Sequence, residues 1–291
     1  MNNCIQRAVF TFCVAASLAA NTHADRPGSR IIATGAVSTI EGAAGGGIVP
    51  MAVLSGYGSN EEHGGAVFAS EVATSDYALT VLGASWSYAN RVEFSLAQQT
   101  LQHETLSGAL GGDDTTIAQR IVGIKVRVAG DVLYTPIPQI SVGLQHKTNL
   151  DFFIPSAAGA KEDSGLDIYA SASKVYLGGL AGYNLLLNGT LRATKANQTG
   201  LVGFGGDKNS EHQLQAELSA GIFLNKHLLI GAEYKQKPDN LSFAAEDDWQ
   251  TAFVAWFPNK RLAVVAGAVD LGEIATLPKQ TGWYLSLQGS L

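Results

Sequence analysis

Apolar and polar residues alternate with a period of two along much of this chain, and the alternation runs to its last residue. In the final stretch, Trp283, Leu285, Leu287 and Leu291 form one apolar edge while Tyr284, Ser286, Gln288 and Ser290 share the other, because successive strand side chains point to opposite faces. Val92, Phe94 and Leu96 alternate in the same way with Glu93, Ser95 and Ala97, and residues 122–128 alternate four β-formers with Gly123, Lys125 and Arg127. Leu214, Ala216, Leu218, Ala220 and Ile222 interleave with Gln213, Gln215, Glu217, Ser219 and Gly221. Ile230, Ala232 and Tyr234 face away from Gly231, Glu233 and Lys235. Taken alone, one such strand fits either a soluble sandwich or a wall between lipid and a polar lumen. The polar edges are too charged for a sandwich core, and the apolar edges are often small, as lipid-facing surfaces permit.

The punctuation between strands points the same way. Tight connections are predicted at 88–91, 224–227, 257–260 and around Gly178-Gly179, each rich in turn formers. Longer polar loops are predicted at 101–116, 148–165, 195–212, 236–247 and 270–282. Short and long connections alternate, as they do in barrels with short periplasmic turns and long outward loops. The expected fold is therefore all-β: a transmembrane, antiparallel, up-and-down β-barrel of about 12–14 strands with both termini periplasmic. About twelve strands fall between residues 65 and 291, and two more near 31–39 and 51–57 would make about fourteen. Residues 40–50 (Ile-Glu-Gly-Ala-Ala-Gly-Gly-Gly-Ile-Val-Pro) form either a loop between those two or an inward-folded segment. In either case Gly45 to Gly47 let backbone pass close to other backbone.

Composition sharpens the class. The chain is 46% hydrophobic and 15% charged, with 33 Gly in 291 residues, and its mean hydropathy is +0.10, apolar for a soluble protein. The two longest uncharged stretches, 42–60 and 175–191, are broken by Gly45-Gly46-Gly47 and Pro50, and by Gly178-Gly179, Asn184 and Asn188, so neither reads as a membrane helix. An apolar membrane protein without spanning helices must be a closed barrel. Residues 1–24 carry one charge, Arg7, an apolar run and the small-residue end Thr22-His23-Ala24, and read as a secretory signal peptide ahead of a domain at 25–291. Both cysteines, Cys4 and Cys13, lie in that leader, so the mature domain would hold no thiol. Loss of Arg7 takes the net charge from −6 to −7, which argues against nucleic acid as a partner.

Several stretches resemble a bacterial family of unknown function, DUF3034. They are Ile40-Glu41-Gly42-Ala43-Ala44-Gly45-Gly46-Gly47, Lys237-Pro238-Asp239-Asn240-Leu241 with Glu246-Asp247-Asp248-Trp249, Trp256-Phe257-Pro258-Asn259-Lys260, and Gly282-Trp283-Tyr284-Leu285-Ser286-Leu287-Gln288. The resemblance spans nearly all of the expected mature chain. It implies a secreted Gram-negative barrel and no particular activity. The terminal Leu291 departs from the aromatic residue with which such barrels usually end.

The sequence offers little catalytic chemistry. His63, His103, His146, His212 and His227 sit in no hydrolase pattern, there is no Gly-x-Ser-x-Gly, and His146-Lys147-Thr148-Asn149 lacks the Ser of a barrel phospholipase. Glu61-Glu62-His63 and Glu246-Asp247-Asp248 lack the spacing of a calcium loop, and Gly203-Phe204-Gly205-Gly206-Asp207-Lys208 has no helix behind it to bind phosphate. No catalytic, cofactor or metal residues are assigned. Trp86, Tyr88, Trp249, Phe253, Trp256, Phe257, Trp283 and Tyr284 are expected at strand ends as interfacial aromatics. A cation on the lipid face would cost about 2–4 kcal/mol at the midplane, so Lys125, Arg127, Arg192 and Lys235 are expected to face the lumen; with Glu93, Lys147, Glu217 and Glu233 they make a mixed-charge inner face expected to line it. The leading expectation is an outer-membrane passive channel for small solutes, in contact with outer-membrane lipid and the barrel assembly machinery. The alternatives are a closed structural or surface barrel with a plugged lumen and, third, an outer-membrane hydrolase.

Overall fold

The computed structural model describes residues 28–103, 115–243 and 245–291. The expected leader at 1–24 lies outside the described residues. Twelve strands form the wall: β3 (His63–Thr74), β4 (Tyr77–Tyr88), β5 (Val92–His103), β6 (Thr115–Ala129), β7 (Gln139–Asn149), β8 (Ser164–Leu180), β9 (Tyr183–Thr194), β10 (Gln213–Asn225), β11 (Leu228–Lys235), β12 (Trp249–Asn259), β13 (Leu262–Asp270) and β14 (Thr281–Ser290). Each pairs antiparallel with its sequence neighbours, and β14 returns to β3 in a register running from Gly282 opposite Thr74 to Ser290 opposite Ala66. This is a closed up-and-down barrel with no free edge. None of the described helices is long and apolar enough to cross a membrane.

Closure explains why the count is twelve. Once β14 pairs with β3, the wall has no place for the two extra strands expected near 31–39 and 51–57. That segment instead folds inward, and every residue from 35 to 58 is buried. Its only regular structure is a two-stranded ribbon, β1 (Val37–Ser38) with β2 (Ala44–Gly45). Of the two readings left open for residues 40–50, the inward-folded one holds. Gly45 faces the Val49 carbonyl and Pro50 so closely that a Cβ would lie 2.3 Å from that oxygen.

The barrel has two unlike ends. Turns at 89–91, 130–138, 181–182, 226–227 and 260–261 share one end with Gly28, whose carbonyl accepts from Lys260 Nζ at 2.7 Å, and with Leu291, whose N–H donates to Gly65 O at 3.0 Å. The hairpin expected around Gly178-Gly179 turns slightly later, at Ala181-Gly182, because β8 continues to Leu180. Among the described residues, the long connections after β7, β9, β11 and β13 share the opposite end, together with the two-residue turn at 75–76; residues 104–114 of the loop expected at 101–116 lie outside the described residues. They include the short helix α1 (Phe153–Ala157) and the 3-10 turn Asn197–Gly200.

The outer face is apolar around the circumference: Phe94, Leu96, Val122, Ile168, Leu191, Leu218 and Val254 are all exposed. Its charged members lie toward the two rims: Glu71, Arg120 and Asp270 in the half toward the long loops, and Lys174 at the short-turn end, where its ammonium donates to the carbonyls of Asp131 and Leu133. Of the expected interfacial aromatics, Trp86, Tyr88, Trp256 and Trp283 are exposed on the outside, with Trp86 stacked between Tyr88 and Phe94. Trp249, Phe253, Phe257 and Tyr284 are buried and do not join them. Strand parity decides each case, since Trp256 and Phe257 are consecutive and must face opposite ways.

Candidate functional site in the barrel lumen

The inner face of the wall is polar at mid-height, and its charges meet the inserted segment. Glu41 occupies the centre. Its carboxylate accepts from Lys147 Nζ, from Arg192 Nη2 at 3.0 Å and from Lys235 Nζ at 2.8 Å. Two wall acids complete the cluster: Asp167 lies 2.8 Å from Lys147 and 3.2 Å from Arg192, and Glu217 lies 2.6 Å from Arg192 Nε. All six side chains are at most 3% exposed. Three cations and three acids therefore share one low-dielectric site, the condition under which buried charge is tolerable. Gln145 Oε1 accepts a further Arg192 hydrogen at 2.7 Å, and the guanidinium lies 5.2 Å from the centre of the Tyr169 ring.

Two more wall carboxylates grip the inserted backbone. Glu93 accepts from the N–H of Ala44 at 3.0 Å and of Ser55 at 2.8 Å, so one side chain clamps both arms of the segment. Its partner Lys125, 3.2 Å away, donates to the carbonyls of Ala44 and Met51. Glu233 accepts from the N–H groups of Gly47 and Ile48, each at 2.8 Å. At Gly46 a Cβ would sit 1.9 Å from Glu233 Oε1, so only glycine lets the backbone approach this closely. Neutral groups do the rest: Gln99 donates to Ile40 O at 2.8 Å, Gln139 to Ala52 O at 2.7 Å, and Thr190 to Pro50 O at 2.8 Å.

A second segment enters from the long-loop end. Residues 196–206, between β9 and β10, are buried, with Gln198 and Thr199 at positive φ. Thr199 O accepts from Lys147 Nζ at 3.1 Å, so both inserted segments converge on one lysine. Behind this loop Lys237 and Glu246 pair at 2.8 Å, and the Gln198 N–H donates to Glu246 at 2.7 Å. Burial pushes the Lys237 ammonium below its ordinary range and the Glu246 carboxyl above it, although their mutual attraction opposes both shifts.

Seven of the eight residues expected in the lumen, Glu93, Lys125, Lys147, Arg192, Glu217, Glu233 and Lys235, are buried inside the barrel in these contacts. Arg127 stands apart at the short-turn end, where its guanidinium donates to Gly130 O and pairs with Asp131 at 3.1 Å. Asp167 was not among them, although Asp167, Tyr169, Ser171 and Ser173 alternate with Leu166, Ile168, Ala170 and Ala172 and so mark an inner edge. Glu41 carried no such signal, because its segment has no strand period. His146 faces outward, away from this chemistry, and among the described residues no group of acids and histidines is arranged to hold a metal ion.

No curated protein matches the chain in sequence. Among solved structures, a KdgM porin is similar at 10% identity and a TM-score of 0.48, covering 78% of this chain and 99% of its own. A NanC porin gives 10% identity and 0.48 over 77% and 97%, and the COG4313 outer-membrane channel from Pseudomonas putida F1 gives 13% and 0.44 over 78% and 94%. A family model described as a protein of unknown function, DUF3034, matches residues 34–288 and so takes in the inserted segment as well as the wall. The chain belongs to the DUF3034 family.

Proposed function

We propose that the protein is an outer-membrane barrel that passes small solutes through its lumen, with passage controlled by the inserted segment 35–58. The apolar belt needs lipid around it, and a closed barrel meets the demand that every wall N–H and C=O be paired there. The short-turn end, with Gly28 and Leu291, faces the periplasm in this reading. The observation that carries the channel reading is Glu41. A barrel closed for good could fill its bore with apolar side chains at lower cost than with buried ions. Here the wall instead keeps Lys147, Arg192 and Lys235, and an acid of a separate segment sits among them. Withdrawal of that segment leaves a charged, wettable passage whose walls select solutes by charge and size.

The test is planar-bilayer conductance of the refolded mature chain beside a variant lacking residues 41–47. The full chain is expected to conduct in rare openings and the deletion to conduct steadily. Absence of conductance and of solute uptake in both would sink the channel reading. A second reading, a closed structural barrel, draws on the 196–206 loop, which is also buried inside the barrel and bonded there to Lys147 and Glu246; a deletion that fails to fold supports it. The reading assigns no catalysis, and hydrolysis of phospholipid or ester by the purified protein would overturn that part.

A further inference from the structure

The lumen changes character below the charged layer. Toward the short-turn end the inner wall becomes apolar, through Val175, Leu186, Leu229, Phe253, Ala255 and Phe257, all buried. Across from it the inserted segment turns Ala36, Val37, Met51 and Val53 toward the same space, and between the two faces lies a cavity of about 540 Å³. Protein interiors are packed to near-crystalline density, so an apolar chamber of this size leaves its lining without the packing contacts a hydrocarbon would supply. Water entering from its mouth finds few polar partners along these walls, so a hydrocarbon replaces it favourably. A volume of this order is that of a small-molecule site, typically ~300–1,000 Å³.

The mouth adds a direction. Lys226 is the one charged residue lining the cavity, and among the described residues its ammonium has no hydrogen-bond or ion-pair partner. Asn225 and Asn184 line it too. Their side-chain oxygens are taken by the N–H of His227 at 2.8 Å and of Gly178 at 3.0 Å, which leaves each amide NH₂ as a free donor. An apolar chamber with a cation and two amide donors at its rim suits a molecule with one hydrocarbon tail and one anionic head. We propose that this cavity binds a single-chain fatty acid, its tail packed between Phe253, Ala255 and the inserted segment and its carboxylate held by Lys226. The site exists with the inserted segment in place, so it stands or falls independently of whether the barrel conducts.

The experiment is equilibrium dialysis of radiolabelled laurate against the mature protein in phosphatidylcholine nanodiscs, with empty discs as the blank and heat-modifiable gel mobility as the check of folding. One saturable site per barrel is expected. Ala255→Phe fills the chamber and should weaken binding by about tenfold or more. Lys226→Glu, at an exposed position, should weaken it by about tenfold without disturbing the fold. Dodecyltrimethylammonium should not compete. Binding no greater than that of empty discs overturns the site, and so does laurate binding unchanged in a folded Ala255→Phe variant. If that variant misfolds, unchanged binding in Lys226→Glu, or competition by the cationic amphiphile or by lauroyl lysophosphatidylglycerol equal to that of laurate, overturns the assignment of a carboxylate head.

Discussion

Replacing Glu41 by alanine would leave Lys147, Arg192 and Lys235 with only Asp167 and Glu217 between them. Removing one member of a buried ionic group costs about 3–5 kcal/mol, because the stranded charge remains desolvated. Glu41→Ala is therefore expected to lower the urea midpoint of the refolded barrel clearly, and Glu41→Met to do no better, since shape cannot replace charge here. An unchanged midpoint would show that water already reaches the cluster. At the surface, Glu62 does a lighter version of the same task. It accepts from the N–H groups of Ser59 and Ser29, which hold its carboxyl down to about 2 against an ordinary 4.5. A depressed carboxyl contributes stability that is present above its ordinary range and lost as pH falls through the folded value. The anchoring of residues 28–34 should thus weaken between about pH 4.5 and 2. Hydrogen exchange in that stretch should be faster in Glu62→Gln than in the native protein at pH 7, and the difference should shrink as pH falls toward about 2; equal rates at pH 7 would remove the anchor.

Among the elements, the strands and the inserted segment obey different rules. A wall strand is fixed by its period, since a slip of one residue would turn Lys125 and Arg192 to lipid. The inserted segment has no period and is held by contacts to many strands, from Gln99 on β5 to Gln288 on β14. It can therefore be tied down at one point without disturbing the wall. Ser55 and Ser85 hydroxyls are 2.6 Å apart, one on the segment and one on β4. A Ser55→Cys/Ser85→Cys pair should form a disulfide in a chain whose native cysteines, Cys4 and Cys13, lie in the expected leader. If passage requires the segment to leave, oxidation should silence conductance and reductant restore it. Conductance indifferent to redox state would mean that solutes pass by another route.

For the whole molecule, closure is the governing event, and the last strand performs it. β14 carries Leu291 beside Gly65 with its side chain exposed, so if an assembly factor reads this strand end, Leu291 is a residue it would contact. Leu291→Phe is expected to raise, and Leu291→Asp to lower, the folded fraction recovered in outer membranes, read from heat-modifiable mobility. Equal fractions for all three chains would count against any role for the end residue.

How much of this was legible in sequence depended on periodicity. Period-two alternation, evenly spaced turn formers and the lack of a spanning helix determined an antiparallel barrel, because a strand's two faces are written in consecutive residues. The same parity placed Glu93, Lys125, Arg192 and Glu233 on inner edges and could have placed Asp167. Parity could not say that residues 35–58 leave the wall, since the strand count was even at twelve or at fourteen. Nor could it put Phe253 and Phe257 inside, where a polar lumen was expected. Those outcomes depend on which edges meet and on what the bore must then contain. Only the tertiary structure, by joining β14 to β3, decided that the remaining chain goes inside, sets Glu41 among three cations and leaves an apolar chamber beneath.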